Sequence, residues 1–275
     1  MIDKVVDLKG AASLVRDGDI LSLGGMLLYR RPVAFVGELL RQGTSDLTIM
    51  GMTAAFESDL LVGAGRVRRV RTCYFGLEGF GLAPMFTAAA QEGRIEVTEE
   101  SEASIAWGVR AALAGVGFMP SSAWRGTDLA SVRPDVQSIA CPYTGETLMA
   151  FPALRPNVAV IHAVMADRAG NAVLVGNLAL DADLALCADR VVVTAERVVD
   201  TSDLLGDLAI SSQLVDAVVE CPHGAWPTSC YPSYPLGSNE IMDYVEACAG
   251  GDFDGYLARF LAGSRDSGAK AAWRP

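Results

Sequence analysis

Asp19-Ile20-Leu21-Ser22-Leu23 alternates polar and apolar residues and stops at Gly24-Gly25; Met26-Leu27-Leu28-Tyr29-Arg30-Arg31 follows, and Pro32 opens the next stretch. Alternation is the period of a β-strand, and a glycine pair ends such a strand in a tight turn. Pro32 stands where a helix can begin, because proline is tolerated at the first helical position. Val33, Val36, Leu39 and Leu40 then recur at helical spacing, and Gly43 fits the left-handed residue that closes a helix.

The same alternation of elements continues outward from this unit. Residues 46–50, Val67–Phe75 and 94–98 read as strands, and Pro84–Gln91 and Glu102–Leu113 as helices, the latter with acids in its first turn as the helix dipole favours. Residues 117–156 are punctuated by Pro and Gly without a clear period. Beyond them, 158–165 and 172–175 flank Asp167-Arg168-Ala169-Gly170-Asn171, the pattern of two strands joined by a turn. Residues 182–188 read as a helix, 190–194 and Ala217–Glu220 as buried strands, and 239–249 and 253–261 as helices. Strands alternating with helices indicate an α/β fold with a largely parallel sheet, and the Gly170 turn suggests some antiparallel pairing within it. No repeat or low-complexity linker interrupts the chain, so residues 1–275 are expected to form one domain.

Composition narrows the function. Hydrophobic residues make up 51% of the 275 and charged residues 20%, which suits a sizeable core and not a disordered chain. Mean hydropathy is +0.29, yet no apolar run approaches the roughly 18–20 residues a membrane-spanning helix needs. The N-terminal residues lack the apolar core of a secretory signal, so a cytoplasmic protein is expected. A net charge of −11 argues against nucleic acid as a partner, since phosphate binding relies on clustered Lys and Arg. The six cysteines form no C-x-x-C pair, and with two histidines no zinc spacing arises, so reduced thiols and no metal are expected.

The stretch 21–35, Leu-Ser-Leu-Gly-Gly-Met-Leu-Leu-Tyr-Arg-Arg-Pro-Val-Ala-Phe, resembles the A subunit of glutaconate CoA-transferase, a family I CoA-transferase. The likeness continues through 38–48, Gly63-Ala64-Gly65-Arg66-Val67-Arg68, Cys73-Tyr74, Val160-Ile161-His162-Ala163, Gly170-Asn171 and 222–231. The A subunit of the CoA-transferase-like hydrolase of actinobacterial steroid-ring degradation is similar over the same stretches. That enzyme type opens a ring of a CoA thioester by hydrolysing a carbon–carbon bond, and its A subunit has a glutamate in the region of Glu102. The resemblance implies a three-layer α/β/α CoA-transferase-like fold with an open, mostly parallel sheet. It also implies an acyl-CoA substrate with no permanently bound cofactor, and a B subunit forming a heterodimer or heterotetramer with this chain. Two departures stand out. Met26-Leu27-Leu28-Tyr29 replaces the smaller residues other short-chain CoA-transferases carry, which suggests a more enclosed acyl pocket. Trp226 occupies a position where both relatives have histidine, although His223 is near.

In the family, a B-subunit glutamate attacks the thioester carbonyl to give an acyl-glutamyl anhydride, and the released CoA thiolate returns to give a glutamyl-CoA thioester. Nothing here resembles the pattern around that glutamate, so the nucleophile is expected on the partner. Gly24, Gly25 and Met26 are candidates for shaping the substrate site, since glycine lets a substrate approach backbone N–H groups at a strand end; the alternative is an ordinary strand-to-helix turn. Arg30, which matches an arginine in both relatives, is a candidate partner for a substrate carboxylate or for the subunit interface, against the alternative of a solvated pair with Arg31. Glu78 stands where the glutaconate enzyme has a substrate-contacting serine. A carboxylate there would repel a diacid and could act as a base; the alternative is a loop acid facing water. Glu102 is a candidate general acid or base, partly buried among Glu99 and Glu100, or else a charge that favours the helix start. His162, within an apolar run, reads as a hydrogen-bonded core residue. Gly63-Ala64-Gly65 lacks the third glycine and preceding strand of a dinucleotide fingerprint.

The leading expectation is thus the A subunit of a CoA-transferase moving CoA between an acyl-CoA and a carboxylic acid. The alternatives are a ring-opening CoA-thioester hydrolase using Glu102, and a non-catalytic ligand-binding subunit.

Overall fold

Ile20–Leu23 is the central strand of a seven-stranded sheet in the computed structural model, which describes residues 2–263. Across the sheet the order is Ala217–Glu220, Arg190–Ala195, Val158–Ala163, Ile20–Leu23, Leu47–Ala54, Val67–Phe75 and Glu96–Val97. Every pairing in it is parallel. The first four strands of the chain step outward from the centre to one edge. The chain then returns to lay Val158–Ala163 against the other side of Ile20–Leu23. The strand order therefore reverses between these two neighbours, and in open α/β sheets ligands bind outside the carboxyl ends at such a reversal.

Alternate residues of each strand face two different helical layers. Ile49, Val158 and Val160 join the core under Val33–Gln42, Phe56–Gly63, Ser238–Ala249 and Phe253–Gly263, with Val36, Leu39, Leu60, Leu61, Ile241 and Phe253. Met50 and Ala159 face the other way, against Ile105 and Val109 of Glu102–Leu113 and Leu184 and Cys187 of Asp181–Cys187. All six residues of Val158–Ala163 are buried, as expected for a parallel strand covered on both faces. The result is the three-layer α/β/α arrangement with an open sheet. No helix among the described residues is long and apolar enough to cross a membrane.

The structure corrects one reading of the sequence and adds two elements that the sequence did not show. The Gly170 hairpin does exist, with Met165–Asp167 antiparallel to Ala172–Val173, but it belongs to a separate four-stranded sheet and leaves the main sheet wholly parallel. Residues 117–156 contain a three-stranded antiparallel sheet of Phe118–Ser121, Thr147–Pro152 and Gln137–Ala140. Between the second and third main strands lies the helix Phe56–Gly63, whose residues from Phe56 to Val62 are all buried. A helix buried all round has no polar face to give it a period.

Candidate functional site

The turn after Ile20–Leu23 is closed from both sides by buried ions. Gly25 has φ +86°, and a Cβ there would lie 2.3 Å from the Tyr29 carbonyl oxygen, so only glycine fits. Its N–H donates to Asp181 Oδ1 at 2.9 Å, and its carbonyl accepts from Arg31 Nη1 at 3.1 Å. Asp181 Oδ2 in turn holds Arg30 Nη1 at 2.8 Å, and Glu57 Oε1 holds Arg31 Nη2 at 2.5 Å. All four charged side chains are essentially inaccessible to water. Arg30 also donates to the carbonyls of His162 and Asn177, which ties the turn to the neighbouring strand.

The other backbone donors of the turn are engaged as well. Gly24 N–H goes to the Val160 carbonyl at 2.8 Å, and Met26 and Tyr29 exchange N–H···O bonds of 3.0 Å each. Leu27 N–H goes to Thr53 Oγ1 at 3.0 Å and Leu28 N–H to Glu78 Oε2 at 3.3 Å. Arg30 N–H goes to the Ser229 carbonyl at 2.7 Å. Leu28 N–H therefore stands apart, since its acceptor is an exposed carboxylate at the longest of these distances. Left-handed backbone at non-glycine residues concentrates here as well, at Leu27 (φ 53°), Arg30 (φ 55°) and Glu78 (φ 52°). Such conformations cost free energy and gather at functional sites.

The residues singled out from the sequence fall into distinct places. Gly24, Gly25 and Met26 form the turn at the sheet's topological reversal, with Met26 Sδ 3.9 Å from Thr53 Oγ1. Arg30 is neither a solvated surface group nor open to a substrate carboxylate in this arrangement, because Asp181 already occupies its guanidinium. Glu78 reaches the turn through Leu28, and its own N–H donates to the Tyr74 hydroxyl at 3.2 Å. Glu102 is exposed, not partly buried. It is the first residue of its helix, which Ser101 caps in a reciprocal pair with Ser104. The buried acid of that run is Glu100, held by Arg71 at 2.6 Å, Arg133 at 2.8 Å and Ser104 Oγ at 2.5 Å. Glu102 lies close enough to Cys73 to help raise its thiol to about 11, although burial is the larger cause. Cys73 and Tyr74 are consecutive strand residues pointing to opposite faces, and Glu102 lies near the first while Glu78 meets the hydroxyl of the second.

His162 is a core residue with both ring nitrogens engaged, Nδ1 with Thr194 Oγ1 at 2.8 Å and Nε2 with Glu196 Oε1 at 2.7 Å. Glu196 also accepts from the Tyr234 hydroxyl at 2.6 Å and the His223 N–H at 2.7 Å. Burial acts to raise the Glu196 pKa, but His162 and these donors outweigh it and hold the carboxyl below its usual range. Cys230 completes a group with His162 and Glu196 whose ligand atoms lie within 4.8 Å of one another. It is the trio among the described residues with spacing suited to a metal. Its nitrogens and oxygens already form a closed hydrogen-bond network, and burial pushes the Cys230 thiol up to about 12. A cleft of about 790 Å³ opens elsewhere, beside Arg69, Arg71, Glu96, Arg133 and Asp135. Its charged walls pair among themselves, Arg69 with Glu96 and Arg133 with Asp135, each at 2.7 Å.

Sequence reasoning missed Asp181 and Glu57. The available signal was an acid embedded in an apolar stretch, as in Ala54-Ala55-Phe56-Glu57-Ser58-Asp59-Leu60-Leu61. A buried acid needs a buried cation or donors, and Arg30-Arg31 was the nearest unexplained pair of cations.

An open parallel sheet with a glycine turn at its topological reversal defines a protein of the open α/β class, in which ligands usually bind at the strand ends. The chain belongs to the coenzyme A transferase family, whose model, "Coenzyme A transferase", matches residues 5–220. It is 36% identical to the A subunit of the 3-oxoadipate CoA-transferase of Pseudomonas knackmussii, over 92% of this chain and 91% of that one. It is 32% identical to the cholesterol ring-cleaving hydrolase IpdA subunit of Rhodococcus jostii, over 96% of this chain and 94% of that one. Among solved structures, glutaconate coenzyme A-transferase from Acidaminococcus fermentans superposes with a TM-score of 0.88 at 31% identity, covering 94% of this chain and 88% of that chain.

Proposed function

We propose that this chain is the A subunit of a two-subunit CoA-transferase that moves CoA between an acyl-CoA and a carboxylic acid. The observation that carries this reading is the Gly24–Gly25 turn, fixed by buried ions at the sheet's topological reversal, in a chain 36% identical to one half of a CoA-transferase over nearly its whole length. The nucleophilic glutamate belongs to the B subunit. Its carboxylate attacks the thioester carbonyl, CoA leaves as a thiolate, and an acyl-glutamyl anhydride remains. The thiolate then attacks the glutamyl carbonyl of that anhydride, releasing the carboxylic acid and leaving a glutamyl-CoA thioester. In this reading residues 1–275 act as one cytoplasmic domain. Gly24, Gly25 and Met26 shape the acyl wall, Glu78 borders it, and Arg30 sets the turn from beneath through Asp181. Co-expression with the B subunit, incubation with acyl-CoA and a carboxylic acid, and assay for exchange test it. Thioester hydrolysis with no exchange to any acid would count against it.

A second reading, a CoA-thioester hydrolase opening a ring with Glu102 as acid or base, draws support from the exposure of Glu102 at the start of its helix and from likeness to the ring-cleaving hydrolase. It predicts that Glu102→Gln abolishes turnover while the two chains still assemble.

A further inference from the structure

The charges around the turn point to a class of acyl group. A substrate with a second carboxylate needs a cation or free donors near the far end of its chain, because a buried or half-buried anion without a partner is costly. The two arginines that touch the turn hold their charge against buried acids, and the one nitrogen of each that has no hydrogen-bond partner, Nε, is itself inaccessible to water. Arg30 is closed off by Asp181 and two carbonyls, and Arg31 by Glu57 and the Gly25 carbonyl. The backbone donors from Gly24 to Arg30 are likewise engaged. The charge presented at the turn is instead negative. Glu78 is exposed and is fixed against the turn by the Leu28 N–H and, through its own N–H, by the Tyr74 hydroxyl. The remaining side chains presented there, Met26, Leu27 and the half-exposed Tyr74, are apolar or aromatic.

We infer that the acyl group handled at this turn is a monocarboxylic one, uncharged and apolar at its far end, and that Glu78 excludes dicarboxylic acyl groups. The inference rests on the CoA-transferase reading for its thioester, but not for its charge argument. A carboxylate on the substrate would lie in the field of Glu78, while the cations that touch the turn, Arg30 and Arg31, are already paired; specificity built this way works by repulsion.

The test uses the complex of this chain with its B subunit, together with five-carbon probes matched in length. Turnover of valeryl-CoA is compared with that of glutaryl-CoA. Binding of two inert thioethers, S-pentyl-CoA and S-(4-carboxybutyl)-CoA, is measured by calorimetry. The expected result is a preference for the neutral member of each pair of about tenfold or more. Glu78→Gln and Glu78→Ser should shrink that preference by about tenfold, chiefly through better binding of the carboxylated probe. A loss of both probes in equal measure would mark Glu78 as merely structural and overturn the inference. Equal or better handling of glutaryl-CoA by the unmodified complex would also overturn it. If neither thioester turns over yet the neutral thioether binds more tightly in a Glu78-dependent way, the transferase reading fails and the inference on charge stands.

Discussion

Asp181 binds Gly25 and Arg30 at once, one carboxylate oxygen on the glycine N–H at 2.9 Å and the other on the guanidinium at 2.8 Å. Removing the charge alone should therefore hurt more than removing the pair. Asp181→Asn leaves an acceptor for Gly25 but strands a buried Arg30, at a cost of about 3–5 kcal/mol. The double variant Arg30→Met/Asp181→Asn removes both charges and keeps that acceptor, and should recover more than half the loss. Denaturant midpoints of the two variants, with unchanged slopes, check this.

Gly25→Ala and Gly43→Ala separate a clash from a backbone preference. Both glycines have positive φ, but a Cβ at Gly43 meets nothing within 4 Å whereas one at Gly25 meets the Tyr29 carbonyl oxygen at 2.3 Å. Gly43→Ala should cost about 1–2 kcal/mol, the usual penalty for a left-handed residue. Gly25→Ala should cost several-fold more and abolish turnover. Thermal denaturation and exchange assays on both variants decide it, and similar losses at the two sites would contradict the geometry.

Asp59 makes stability pH-dependent. It is fully buried beneath the Pro84–Gln91 helix, accepts from Tyr244 and the Met85 and Phe86 N–H groups, and has its pKa raised from 3.8 to about 6 by burial. The folded state therefore binds the proton more tightly than the unfolded one. This group's contribution is full below about 3.8 and declines as pH rises through about 6. The loss is on the order of 2–3 kcal/mol. The stability of the unmodified protein relative to Asp59→Asn should fall across that window and stay level above it. A difference that rises with pH would refute the assignment.

Glu102→Gln distinguishes the two chemistries. If the partner's glutamate is the nucleophile, CoA exchange by the complex should fall by less than about tenfold. A general acid or base would instead lose roughly 10²–10⁴. Steady-state rates measured alongside gel filtration of the complex make the comparison meaningful.

Most of the frame was legible in the sequence. Val67–Phe75, Pro84–Gln91 and Glu102–Leu113 follow the boundaries that periodicity and capping residues set, and the Gly24–Gly25 turn sits where the alternation of 19–23 ends. The unread parts share physical causes. Phe56–Gly63 is buried on all sides and so lacks a period. The short antiparallel strands of 117–156 include Pro120 and Pro152 and alternate too briefly to register. At the site, sequence could single out Arg30 but not its direction. Its partner Asp181 lies 151 positions away, and only the return of Val158–Ala163 to the centre of the sheet brings them together.

Mass spectrometry of the co-expressed two-subunit complex after incubation with acyl-CoA tests the central claim most directly. The account predicts a glutamyl-CoA adduct on the B subunit, with this chain unmodified. An unmodified B subunit, with the thioester consumed and water incorporated into the product, would contradict it and move the chemistry to Glu102.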